Sequence, residues 1–233
     1  MPNSTSALVL EGVAKTFLLH QQGGIRLPVV SGVHLEVQPG ECVVLGGPSG
    51  TGKSSVLKMI YGNYRCDAGS IWVRDGNETV DVASATPRRI AALRRTSLGY
   101  VSQFLRVIPR IATLEIVASS ARESGKPETE ATDRARDLLN RLRVPERLWA
   151  LPPATFSGGE QQRINIARGL AAERPILLLD EPTASLDATN RANVIELLSE
   201  RKADGVALLG IFHDEDVRDR IADRVVDITQ FST

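Results

Sequence analysis

Apolar positions recur with two different periods along this chain, and the switches between them outline a fold. Ala7–Glu11 and Val29–Val37 read as strands, and Glu41–Gly46 as a third after a Pro39-Gly40 turn. Lys53–Tyr61 places Val56, Leu57 and Ile60 on one face and predicts a helix. Ser70–Arg74 predicts a short strand. Thr86 as a cap with Pro87 behind it predicts a helix to about Arg95, and Ser97–Ser102 a strand. From about residue 104 to 168 the pattern turns helical. Thr113–Arg122 is one helix, and after Pro127 comes a longer one with Ala131, Ala135, Leu138, Leu139 and Leu142 as its stripe. Alternation then returns, with buried strands at Pro175–Asp180 and Val206–Phe212, helices at Ala188–Lys202 and Asp214–Ala222, and a last strand at Arg224–Thr229. Strands alternating with helices at both ends predict an α/β sheet carrying a helical insertion.

Composition narrows the class. With 42% hydrophobic and 24% charged residues, the chain is too apolar to be disordered. Lys+Arg and Asp+Glu number 28 each, so no global field draws it to nucleic acid or anionic lipid. Apolar runs such as Ile176–Leu179 are too short to cross a bilayer, so direct membrane insertion is not expected. The first residues lack the basic and apolar regions of a signal peptide. Two cysteines and three histidines offer neither a disulfide framework nor a structural metal site. The expectation is a soluble, cytoplasmic domain spanning all 233 residues.

The chemistry begins at Gly47-Pro48-Ser49-Gly50-Thr51-Gly52-Lys53-Ser54, followed by Ser55, between a predicted strand and a predicted helix. That run fills every fixed position of a phosphate-binding loop. Glycines let backbone N–H groups turn toward phosphate oxygens, and the helix start adds a positive end. Lys53 would reach the terminal phosphates of a nucleoside triphosphate, and the Ser54 hydroxyl would bind Mg²⁺. Downstream, the apolar run Ile176–Leu179 ends in Asp180-Glu181. Alone this is as well read as a strand followed by an acidic helix cap. Beside a phosphate loop it predicts Asp180 holding Mg²⁺, and Glu181 activating a water to attack the polyphosphate.

Phe156-Ser157-Gly158-Gly159-Glu160-Gln161-Gln162-Arg163 resembles the signature of ABC-type ATPases. The order of the other elements agrees: phosphate loop, Gln103, signature, Asp180-Glu181, Ser185-Leu186-Asp187, His213. The resemblance covers Phe17 to about His213. It implies a RecA-like, mixed or parallel sheet core, an N-terminal antiparallel β part, and a helical subdomain inserted after Gln103. The core would comprise residues 1–103 and 169–233, and the helical part about 104–168. It also implies ATP as ligand with Mg²⁺, and a head-to-tail pair with a second copy or a related ATPase. In such a pair Ser157, Gly158, Gly159 and Glu160 of one subunit cover the γ-phosphate held by the other. The residues themselves agree, since a small-residue helix start is a second anion-binding end that one chain cannot easily turn onto the same triphosphate. Glu160 stands where glutamine is commoner. By the same resemblance Gln103 contacts Mg²⁺ and the attacking water, His213 senses the γ-phosphate, and Asp187 communicates between sites. Phe17 stacks on adenine, although it could equally be a core residue.

Three stretches, Tyr61–Tyr64, Ser102–Arg110 and Ala154–Gly169, further resemble the smaller ABC-type subunit of the bacterial phosphonate C–P lyase system. The ATPases of lipoprotein-release exporters are near neighbours. The first likeness implies other C–P lyase subunits as partners in a cytoplasmic complex. That complex makes α-D-ribose 1-methylphosphonate 5-triphosphate from ATP and methylphosphonate, with the nucleosidase chemistry in a partner. The second implies the ATP-binding subunit of a membrane transporter. A module that binds ATP and barely hydrolyses it is a third reading, opposed by the intact Glu181 and His213. Finally, no acidic residue lies between Asp81 and Glu115, whereas Arg88, Arg89, Arg94, Arg95, Arg106 and Arg110 do. This stretch is either a docking surface for an acidic partner or a solvated face with internal pairing.

Overall fold

The computed structural model describes residues 5–19, 23–103, 105 and 110–232. Two sheets organise them. The first is antiparallel, in the order β2-β1-β4-β5, from β1 (Leu8–Leu19), β2 (Ile25–Val37), β4 (Ala68–Asp75) and β5 (Glu78–Asp81). The second has the order β6-β7-β8-β3-β9, from β3 (Cys42–Gly46), β6 (Leu98–Val101), β7 (Ile176–Asp180), β8 (Ala207–Ile211) and β9 (Arg224–Asp227). All its neighbouring pairs are parallel. The chain thus has a parallel core sheet, an antiparallel β part and a helical part, the division that the sequence resemblance implies.

β7 and β8 are buried at every position, as their unbroken apolar runs require of strands covered on both faces. Their side chains alternate between two cores. Leu177, Leu179 and Leu208 join one hydrophobic cluster, and Ile176, Leu178 and Leu209 the other. The second cluster includes α1 (Lys53–Ile60) and the inner face of the antiparallel sheet. The first runs without a break from the sheet into α3 (Thr113–Glu123), α4 (Glu128–Arg141), α5 (Gly158–Ala171) and α6 (Ala188–Ala203). The helical stretch thus shares its core with the sheet. Ala131, Ala135, Leu138 and Leu139 of α4 are fully buried, as their spacing predicts. α5 lies so close to β6 that a side chain at Gly169 would overlap Val101 Cγ2.

The structure departs from the sequence reading in three places. β5 has no counterpart there, and β1 and β2 extend beyond the expected strands into one long hairpin. The last strand ends at Asp227, two residues early, because its carboxylate accepts from Thr229 N (2.9 Å) and starts a 3₁₀ turn at Ile228–Phe231. The predicted start of the helical part at Phe104 lies outside the described residues.

Candidate nucleotide site

Because every pair in the core sheet is parallel, the carboxyl ends of β3, β6, β7 and β8 share one edge. Ligands bind outside that edge in open α/β sheets. Four of the sequence-predicted elements follow those strand ends: the loop Gly47–Gly52, Gln103, Asp180-Glu181 and His213.

The loop needs glycine at Gly52, which caps α1 at φ 91° and packs on β2. A Cβ there would stand 2.6 Å from Val29 Cγ1 and 2.8 Å from Val30 Cγ1. No side chain caps α1 and its first turn holds no acid, so its leading N–H groups are left for a ligand. Lys53 is 7% exposed. Its ammonium donates to the carbonyls of Gly47 (2.7 Å) and Pro48 (2.6 Å), which bends it back over the loop. Burial lowers its pKa, against the pull of the Glu181 and Asp227 carboxylates.

Asp180 is 5% exposed and both its oxygens are occupied. Ser54 Oγ donates to Oδ1 at 2.8 Å and the Tyr100 hydroxyl to Oδ2 at 2.7 Å. Glu181 follows with φ 53°, a left-handed conformation uncommon for a side chain of this size. Its N–H donates to Ile211 O at 3.1 Å, tying the turn to the end of β8. The turn aims the carboxylate between two side chains: Gln103 Nε2 donates to Oε2 at 3.0 Å, and His213 Nε2 lies 2.7 Å from Oε1. A carboxylate held at both oxygens is thus assembled from the ends of three strands.

Mg²⁺ fits this donor set. Ser54 gives its proton to Asp180 and keeps its lone pairs, Gln103 keeps its amide oxygen, and Asp180 is a carboxylate. These are hard oxygen donors of the kind Mg²⁺ takes alongside phosphates and water.

The signature residues are placed differently. Ser157 caps α5, and Glu160 reaches back to it in a reciprocal capping box. Glu160 Oε2 accepts from Ser157 N (2.9 Å) and Oγ (2.8 Å), contacts that hold its carboxyl below the usual range. A Cβ on Gly159 would sit 3.2 Å from Ser185 O, while Gly158 opens onto free space. Asp187 caps α6, accepting from the N and Nδ2 of Asn190, each at 2.8 Å. Phe17 meets Tyr64 edge-on at 5.2 Å, with Lys15 Nζ 5.3 Å from its ring. It pairs with Leu27, three residues before the Val30 that packs on Gly52.

Sequence reasoning missed three residues. Tyr100 is one. The others, Gln162 and Asn165, are buried polar side chains on α5. Gln162 Nε2 donates to Pro182 O (3.0 Å) and Asn165 Nδ2 to Ser102 O (2.6 Å), so the signature helix grips the residues next to both Glu181 and Gln103. Their signal was present as polar positions on the inward face of a helix. The arginine stretch is partly paired: Arg89 with Asp75 and Glu78, Arg94 with Tyr61 O and Asn63. Arg106 lies outside the described residues, as do Val107, Ile108 and Pro109. No helix among the described residues is long and apolar enough to cross a membrane.

Known proteins resemble this chain in sequence and in fold. The family described as ABC transporter matches residues 30–184. The chain is 38% identical over 224 residues to the lipoprotein-releasing system ATP-binding protein LolD of Maricaulis maris, covering 96% of this chain and 94% of that one. It is 42% identical over 224 residues to LolD 2 of Caulobacter vibrioides, with the same coverage. Against the macrolide export ATP-binding/permease protein MacB of Brucella abortus it is 36% identical over 219 residues, but spans only 32% of that protein. Among solved structures, a dimeric ATP-binding cassette in a post-hydrolysis state with ADP and Pi superposes with a TM-score of 0.82 at 27% identity, covering 95% of this chain and 94% of that one. The relatives are named for lipoprotein release and macrolide export, and none of them supports the likeness to the C–P lyase subunit. A phosphate loop, a positioned acid and a signature helix on this sheet, with a family match over residues 30–184, mean that the chain belongs to the ABC transporter family of P-loop ATPases.

Proposed function

We propose that this chain is the ATP-hydrolysing motor of a larger assembly, working as a head-to-tail pair and driving a membrane exporter of the lipoprotein-release or macrolide-export type. The observation that carries the hydrolytic part is the Glu181 carboxylate, set by a left-handed backbone between Gln103 and His213. In this reading Lys53 leaves the loop carbonyls for the terminal phosphates, and the N–H groups of the loop and of α1 take the remaining phosphate oxygens. Gly47 to Gly52, Ser54 and Ser55 wrap the triphosphate, and Phe17 faces the base. Glu181 orients the attacking water and accepts its proton; Gln103 and His213 fix the carboxylate at both oxygens. Ser54, Asp180 and Gln103 hold Mg²⁺, which when bound neutralises charge on the phosphate oxygens. Ser157, Gly158 and Gly159 of a second cassette close the site. The names of the relatives, a lipoprotein-releasing system and a macrolide export ATP-binding/permease protein, support a permease as partner, and the cassette that superposes is dimeric.

A second reading keeps the same motor in a phosphonate C–P lyase complex. It rests on the sequence runs Tyr61–Tyr64, Ser102–Arg110 and Ala154–Gly169. Purification of the tagged chain from native cells, phosphate-starved and phosphate-replete, with partners identified by mass spectrometry, separates the two. A multi-span membrane protein in the eluate is the expected result. Soluble phosphonate-processing subunits, recovered only under starvation, would move the motor to the lyase complex.

A further inference from the structure

Asp180 is a buried carboxylate that, among the described residues, has one hydrogen-bond donor on each oxygen, and of the two donors Ser54 belongs to the phosphate-loop motif. The other is Tyr100, the third residue of β6, in register with Leu178 of β7. We propose that Tyr100 is a positioning residue that holds Asp180 for the divalent cation and so sets the cation affinity of the nucleotide site. The proposal rests on the reading of Ser54, Asp180 and Gln103 as the cation's holders.

The geometry gives the two donors different fates. Ser54 must turn its oxygen toward a cation to serve as a ligand, which frees Oδ1 of Asp180 for the cation or its water. Oδ2 then keeps the Tyr100 hydroxyl at 2.7 Å as its donor among the described residues. A carboxylate with one oxygen fixed can rotate little, so its other oxygen is delivered in one direction. Nothing about a phenol in a parallel strand requires this; phenylalanine would fill the same space.

The ring of Tyr100 is itself held. It packs on Tyr61 at a centroid distance of 4.9 Å, and the Arg94 guanidinium lies 4.5 Å from the Tyr61 ring. Arg94 is fixed in turn by Tyr61 O (2.9 Å) and Asn63 Oδ1 (3.0 Å). The hydroxyl is thus the tip of a rigid stack of three side chains, and its removal should act without moving the stack. Partners that orient a metal-holding side chain are typically worth 10–100-fold in metal affinity.

The test is Tyr100→Phe in the whole chain. Free Mn²⁺ is titrated by electron paramagnetic resonance in the presence of a non-hydrolysable ATP analogue, and analogue binding without metal is measured separately in EDTA. Mn²⁺ affinity is expected to fall by about tenfold, with metal-free analogue binding within twofold of the parent. In an Asp180→Asn background the same substitution should have no further effect, which isolates the contact from any general loosening. Parent-like Mn²⁺ affinity in Tyr100→Phe would overturn the proposal alone. So would an equal loss of analogue binding in EDTA, or a full additional loss in the Asp180→Asn background. If the parent itself takes up no Mn²⁺ with the analogue, the cation reading of the site falls and this proposal with it.

Discussion

Glu181 carries a left-handed backbone, which costs on the order of 1–3 kcal/mol in a residue other than glycine. The surroundings hold it there: its N–H is bound to the end of β8, and Gln103 and His213 take the two carboxylate oxygens. His213→Ala removes one of these partners without touching the loop. Hydrolysis should drop about 100-fold or more, and ATP affinity should stay within about threefold, checked by steady-state turnover and a fluorescent-nucleotide titration. Lys53→Ala acts on the other term. A charge-assisted contact to phosphate is worth about 1.5–3 kcal/mol, so affinity should fall about 10–100-fold; unchanged affinity would contradict the loop assignment. These positions were legible because each lies in a contiguous run or next to a predicted strand end. Tyr100, Gln162 and Asn165 were not, since their partners are 80, 20 and 63 residues away and only folding brings them together.

α5 carries the signature at its start and, along its inner face, the grip on Ser102 and Pro182, which neighbour Gln103 and Glu181, so its seating on β6 decides whether these parts keep register. Gly169 sets that seating against Val101. Gly169→Ala gains up to about 1 kcal/mol of helix propensity, but its methyl must displace a stiff β-branched side chain that is fully buried. Overpacking of that kind costs about 1–3 kcal/mol, so a net loss of about 1 kcal/mol is expected in denaturant unfolding; a gain would mean the helix moves freely on the sheet. The buried strands β7 and β8 and the striped helix α4 were readable because burial on both faces, or on one stripe, leaves a clear period. β5 was not: Glu78–Asp81 has one apolar residue in four and exists because β4 pairs with it. Glu160 shows the same limit. Its motif position was plain, but that its carboxylate folds back to cap its own helix is a local competition the motif does not record.

At the scale of the molecule, equal numbers of acids and bases conceal an asymmetry in how the acids are held. Thr16 N lowers Asp67, and Arg141 lowers Glu200. For Asp75 and Asp223 burial pushes upward, but the Ser97 and Thr96 hydroxyls in one case, and Cys42 N with Lys202 in the other, win and lower the carboxyl. Groups lowered in the folded state add stability above their unfolded values and lose it as pH falls through the folded ones. The denaturant midpoint should therefore be flat from pH 7 to 5 and drop steeply below about pH 4; a flat profile to pH 3 would contradict it. Function belongs to a larger object than the chain. Glu181 with its two partners, the Ser54–Asp180 pair and the loop lie on one sheet edge, whereas the signature helix start is capped on itself and opens onto free space at Gly158. In the proposed pair a second cassette would supply that end. The most direct test is Glu181→Gln with Mg²⁺ and ATP, its mass followed by light scattering and its turnover by phosphate release. The expected result is retained ATP binding, turnover reduced at least about 100-fold and a stable ATP-dependent dimer. Normal turnover, or a variant that binds ATP and stays monomeric, would contradict it.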